Sequence, residues 1–137
     1  MVFALTAITP ILRPSSVIRA FLLPAKGQVR EFVVPTGGIM ATISAAVIGD
    51  GPANCHVVRC CHDFRSERGH FTFWYNEDGD RLHPRPPCNR AITNVADESV
   101  RGDVVIVRIR GGDDDDRNDP LSIPDDIKPA GWKTLFN

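Results

Sequence analysis

The stretch FTFWYNEDGDRLHPRPPCNRAITNVADESVRGDVVIVRIR, residues 71–110, decides the predicted fold of this chain. Its aromatic run 71–75 and its β-branched run 104–109 follow the patterns of strands. Residues 89–96 carry apolar side chains three and four positions apart, which is the spacing of a helix. Because Asp78-Gly79 marks a tight turn, the stretch predicts a strand, a turn, a short helix and a second strand in that order.

Further strands and a helix are predicted upstream of this stretch. Residues 17–23 and 29–34 are apolar, β-branched runs joined by the loop 24–27, so they predict a β-hairpin. Apolar residues at helical spacing over residues 39–47 predict a short helix that packs on the sheet. Residues 55–64 predict one more strand.

This order of elements predicts an α+β fold: a single mixed sheet of about five strands with two short helices on one face. We expect one domain over residues 1–110, in which residues 1–16 form an N-terminal arm or an edge strand. Residues 111–137 contain three prolines and a run of aspartates, which predict an irregular acidic tail. Trp132 and Phe136 would be costly to leave in water, so we expect this tail to dock on the domain.

The charge of the chain is balanced overall and uneven along its length. The formal net charge is -1 at pH 7, so nucleic acid is not an expected partner. Residues 1–110 carry 13 basic and 10 acidic side chains, whereas residues 111–137 carry 3 and 7. Since these charges are opposite in sign, they favour a tail that lies back on the domain.

The composition also bears on location. No apolar run is long enough to span a membrane, which predicts no membrane association. The absence of a signal-peptide pattern, together with four cysteines, favours a reduced cytoplasmic protein. Residues 1–16 are free of acidic side chains, so a mitochondrial presequence is the alternative, although Pro10 and Pro14 oppose a long amphipathic helix there.

Three short motifs carry a resemblance to a known family. They are Asn76-Glu77-Asp78-Gly79, Pro87-Cys88-Asn89-Arg90-Ala91 and Gly102-Asp103-Val104-Val105-Ile106. With these motifs, residues 17–110 resemble the small bacterial, phage and plasmid family known as domain of unknown function 3846. The resemblance implies a compact α+β fold and implies no activity.

Metal binding is not predicted, although the chain contains several side chains of zinc-ligand type. They are Cys55, His56, Cys60, Cys61, His62, His70, His83 and Cys88. No pair of cysteines has the C-x₂-C spacing, and a strand sends neighbouring side chains to opposite faces. The aspartates of residues 113–116 lack the spaced pattern of a calcium loop and are interpreted as solvated acid.

The predicted start of the second helix gathers the remaining polar candidates. Arg85, Asn89 and Arg90 are candidate anion-binding residues, because arginine forks and helix-start N–H groups suit phosphate or carboxylate. The alternative is that Asn89 only caps the helix. Cys88 is the candidate reactive thiol, with His83 as its base, because helix starts favour the thiolate.

Alternation along the aromatic strand identifies one candidate interface residue. Phe71, Phe73 and Tyr75 share one face and are predicted core, whereas Trp74 points to the other face with Thr72. We therefore expect Trp74 to lie on a binding surface.

The sequence contains no motif of a hydrolase, kinase or dinucleotide-binding protein. The predicted function is that of a small soluble binding domain without a cofactor, acting on a protein partner or forming a homo-oligomer. An anion or nucleotide binder at the second helix start is one alternative. A small enzyme that uses Cys88 and His83 is the other.

Overall fold

The computed structural model describes residues 17–48, 58–96, 99–111 and 119–136, without the side chains of residues 58–64 and of Ala96. Predictions for the N-terminal arm, for Cys55 and His56 and for the aspartate run 113–116 lie outside the described residues. So do those that depend on the side chains of Cys60, Cys61 and His62.

The described elements follow the predicted order. The strands are β1 (Val17–Leu23), β2 (Arg30–Pro35), β3 (Val58–Ser66), β4 (Gly69–Asn76), β5 (Val104–Ile109) and β6 (Pro120–Leu121). The α-helices are α1 (Ile39–Ile48) and α2 (Arg90–Ala96), and shorter 3-10 helices cover Thr36–Gly38, Gly79–Arg81 and Pro129–Phe136. The predicted hairpin, both helices and the regular strand over residues 104–109 are thereby confirmed.

These strands form one sheet in the order β2-β1-β5-β4-β3, with β6 paired to the end of β5. Every described pair of strands is antiparallel. The α+β class is confirmed, and the sheet is antiparallel where mixed strand directions were expected. The reason is that hairpins join β1 to β2 and β3 to β4, and β5 returns between these two hairpins against both β1 and β4.

The two helices lie on opposite faces of the sheet, so the expectation that they share one face is wrong. Helix α1 packs through Ile43 and Val47 on a cluster that includes Ala20 and Val105. Helix α2 packs through Ile92 on the other cluster. The physical reason is that the central strands β1 and β5 carry apolar side chains at nearly every position. Both faces of these strands must therefore be covered by other elements. We call the side under α1 the helix face and the other side the tail face.

The C-terminal segment completes the tail face. Ile123, Ile127, Trp132 and Leu135 are buried there. The Phe136 ring lies edge-on to Phe73 with 5.1 Å between centroids. A pair of this kind contributes about 0.5–1.5 kcal/mol beyond the area that it buries.

The C-terminal segment also forms backbone hydrogen bonds with strands of the sheet. Strand β1 pairs with β5 only from Phe21 to Leu23, so the two strands separate toward the start of β1. Pro120 and Leu121 pair with the end of β5, and the amide of Ile123 donates to the Arg19 carbonyl at 2.9 Å. The segment thus satisfies backbone groups that the separation of β1 and β5 would otherwise leave without partners.

Candidate functional site

Asn89 occupies the helix start where an anion site was predicted, and it is buried. Its Nδ2 donates to the carbonyls of Leu23 and Gly102, each at 3.0 Å, and its Oδ1 accepts from the Ile92 amide at 3.3 Å. The residue is 0% exposed. Asn89 therefore caps α2 and joins it to β1 and to the loop before β5, which leaves no surface of Asn89 for an external anion.

The other two predicted anion ligands differ from Asn89 in their exposure. Arg85 and Arg90 are exposed. Among the described contacts, neither guanidinium shares a hydrogen bond with the Asn89 side chain. The structure therefore does not bring Arg85, Asn89 and Arg90 together as one site.

A different arginine organises the polar groups at this corner. Arg101 Nε lies 2.9 Å from Asp80 Oδ1, and its Nη1 donates to the Pro86 carbonyl at 3.1 Å. A cleft of about 200 Å³ opens beside it, lined by Tyr75, Asn76, Glu77, Gly79, Asp80, Ser99 and Arg101. Sequence reasoning missed Arg101, because Arg101 and its partner Asp80 are 21 positions apart in the chain.

The predicted thiol and its base are not assembled. Cys88 is half-buried, and its Sγ lies 3.9 Å from Thr93 Oγ1. His83 is exposed, at a cis His83–Pro84 peptide, and no described contact joins it to Cys88. Within the described ranges, no three His, Cys, Asp or Glu side chains are grouped as metal ligands would be.

Trp74 points to the helix face, and Phe71, Phe73 and Tyr75 point to the tail face, as the alternation predicts. Trp74 does not lie on an open surface, however, because α1 covers this face. It lies half-buried in a groove of about 500 Å³ whose lining is mostly apolar: Ile39, Met40, Ile43, Thr72, Trp74, Val107, Ile109 and Pro120. The Trp74 indole N–H is buried and has no hydrogen-bond partner among the described residues.

Helix α1 has an unusual outer side. Its sequence IMATISAAVI contains no charged residue, although Met40, Ala41 and Ala45 are exposed. The outer side of a surface helix normally carries charged side chains. Towards strand β2, the small residues of α1 line a shallow depression of about 520 Å³ together with Phe32; they are Ala41, Thr42, Ala45 and Ala46.

Strand β2 lies beside this depression and is the outermost described strand on one side of the sheet. Within the described residues β2 pairs with β1 alone. Val33, which is 52% exposed, lies opposite Arg19 on the tail face, and Val17, which is 42% exposed, lies on the same face of the neighbouring strand. We call this surface the β2 edge surface; it comprises Val17, Phe32, Val33, Ala41, Thr42, Ala45 and Ala46.

Sequence reasoning missed the β2 edge surface. It identified β2 as a strand and α1 as an amphipathic helix, and neither pattern reveals which strand ends the sheet. The absence of charge from α1 was the one signal in the sequence that could have pointed to it.

Comparison of the chain with family models, curated proteins and solved structures finds no match. The resemblance of residues 17–110 to domain of unknown function 3846 stays a prediction. In the part of the chain that the structure describes, no helix is both long enough and apolar enough to cross a membrane.

Proposed function

We propose that this protein is a binding domain that takes an extended, uncharged segment of a protein along the outer edge of β2. One observation carries the proposal: within the described residues, the centre of the edge strand is flanked on both faces by exposed side chains without charge. An edge strand presents backbone N–H and C=O groups that can pair with an added strand. Exposed apolar side chains beside these groups are a feature of interaction sites.

The side chains that flank β2 determine which segments would bind along its edge. On the tail face, an added strand would place its side chains beside Val33, and Val17 would lie one strand further in. On the helix face, alternate side chains would lie beside Phe32 and the depression under α1. We therefore expect the bound segment to carry apolar residues on both faces.

Among the described residues, the centre of β2 lacks the usual protection of an edge strand. Such strands are commonly protected by charged residues, prolines or bulges. In β2 these are confined to the ends, with Arg30 and Glu31 at the start and Pro35 at the finish. The positions between them, Phe32, Val33 and Val34, carry no charge, so strand addition would centre on them.

The alternatives receive less support. An anion binder at the start of α2 would lack Asn89, which is enclosed. An enzyme would need Cys88 and His83 to meet, whereas the Cys88 thiol lies against Thr93. We retain from the composition the predictions of a cytoplasmic protein without a cofactor or a nucleic-acid partner.

Selection from a phage-displayed library of random peptides tests the proposal. We expect enriched peptides with apolar residues at alternate positions, and roughly tenfold weaker binding of those peptides to a Val33→Glu variant. Val33 is exposed, so this substitution leaves the core intact. Gln28→Glu adds the same charge in the exposed hairpin loop and should bind like the unmodified protein. Enrichment of no peptide by protein that is monomeric in solution, or equal binding by Val33→Glu, would contradict strand addition at β2.

A further inference from the structure

We infer that the segment bound along β2 is strand β2 of a second copy of this chain, with the two α1 helices side by side across a two-fold axis. This inference rests on the proposed function, and it identifies the protein that supplies the bound segment. The resulting dimer would contain one continuous antiparallel sheet.

The charge of the β2 edge surface favours a second copy. In a two-fold interface the same patch meets itself, so a patch with net charge would repel its copy. Helix α1 contributes no charge, and Arg30 and Glu31 at the start of β2 are opposite in sign. Glu31 is also already paired with Arg19 Nε at 3.2 Å within the chain. The surface is therefore electrostatically compatible with itself.

The order of residues in β2 favours one register. Antiparallel pairing centred on Val33 would set Val33 against its own copy and Phe32 against Val34. Apolar and β-branched pairs of this kind stabilise antiparallel strands. The same register would set Glu31 opposite Pro35, so that the charged residues lie at the outer ends of the paired segment and not against each other.

The helices fit the same symmetry. A two-fold axis perpendicular to the sheet keeps the helix faces of both copies on one side, which brings the two depressions above Phe32 next to each other. Ala41 and Ala45 lie one turn apart on this side of α1, and small residues let helices approach closely. The apolar lining of each depression would then be covered by the α1 helix of the other copy.

Light scattering after size-exclusion chromatography, over a concentration series, tests the dimer. We expect a mass of twice the 15.1 kDa of one chain. The variants Val33→Glu and Val33→Lys should each be monomeric, because each sets two like charges face to face at the axis. Ala45→Glu should weaken dimerisation roughly tenfold, and Gln28→Glu should leave it unchanged. Circular dichroism checks that each variant is folded.

Mixing the two Val33 variants tests the register. With one variant isotope-labelled, native mass spectrometry should show mixed dimers, because a glutamate then meets a lysine at the axis. If the mixture stays monomeric, Val33 does not meet its copy and the inference is wrong. A monomeric unmodified protein overturns the second copy as partner, and if the selected peptides bind it, the proposed function still stands. A dimer that is insensitive to all three substitutions would place the interface elsewhere and overturn the inference.

Discussion

At the scale of single residues, Asn89 shows how one side chain can hold several segments together. Its amide nitrogen donates to carbonyls of β1 and of the loop before β5, and its amide oxygen caps α2. Its own backbone amide also donates to the Val100 carbonyl at 2.7 Å. A residue with these partners fixes the position of α2 on the tail face. The motif around Asn89 is therefore explained by folding.

Replacement of Asn89 should lower stability. We expect Asn89→Ala to lower the free energy of unfolding by about 2–3 kcal/mol, because the cap is lost and two buried carbonyls lose their donors. Asn89→Ser keeps an oxygen at the cap position and should lose less. Chemical denaturation at one fixed protein concentration measures both.

The chain offers a matched control for Asn89 in the same helix. Asn94 is exposed on α2, so Asn94→Ala should leave stability within about 0.5 kcal/mol of the unmodified protein. Equal stability of Asn89→Ala and Asn94→Ala would show that the contacts of Asn89 do not hold the fold.

At the scale of elements, Arg19 joins β1 to the C-terminal segment. It is only 9% exposed, and its Nη1 donates to the Pro124 carbonyl at 2.8 Å. Its guanidinium lies 5.0 Å from the centre of the Phe21 ring. Its backbone amide donates to Ser122 Oγ at 3.0 Å, so both its main chain and its side chain bind the segment. The C-terminal segment thus returns to the domain through specific contacts with Arg19.

Replacement of Arg19 should loosen the segment. Arg19→Met keeps most of the aliphatic stem but removes the donor, so we expect a loss of about 1–3 kcal/mol in the free energy of unfolding. Hydrogen exchange at the Ile123 amide, which donates to the Arg19 carbonyl, should accelerate at the same time. Arg85→Met removes an exposed arginine and should change neither measurement. Unchanged exchange at Ile123 in Arg19→Met would contradict this role.

At the scale of the whole molecule, the C-terminal segment supplies part of the core on the tail face. Leu135 and Ile123 are both 0% exposed, and they pack with residues of β4 and β5. The Ser66 hydroxyl also donates to the Leu135 carbonyl, which ties the end of the segment to β3. The C-terminal segment therefore packs on the domain predicted for residues 1–110 and contributes buried residues to its core.

Removal of the segment should abolish cooperative folding. We expect a chain cut after Gly111 to unfold without a sharp thermal transition and to bind a hydrophobic dye, because its aromatic core is uncovered. A synthetic peptide of residues 119–137 should restore the transition when added. The same peptide with Leu135→Ala should restore it poorly, since a buried Leu→Ala change costs about 2–5 kcal/mol. A sharp transition in the cut chain alone would show that residues 1–111 fold by themselves.

The predictions from sequence succeeded and failed for identifiable reasons. The hairpin of β1 and β2 and the opposite directions of Phe73 and Trp74 follow from periodicity over a few residues, and the structure shows both. The sequence did not show that Asn89 is enclosed, because its contact with Leu23 joins residues 66 positions apart. The sequence did not show that Trp74 lies half-buried beside α1, because the pattern of β4 contains no information about what α1 covers.

The sequence by itself determined the local elements and the α+β class, since helix and strand patterns depend on neighbours a few positions apart. Only the tertiary structure decided the order of the strands, the face under each helix and the entry of the C-terminal segment beside β1. Those features rest on contacts such as Arg19 with Pro124, which are 105 positions apart in the chain. The β2 edge surface belongs to the second group, because a strand becomes an edge only when the whole sheet has been arranged.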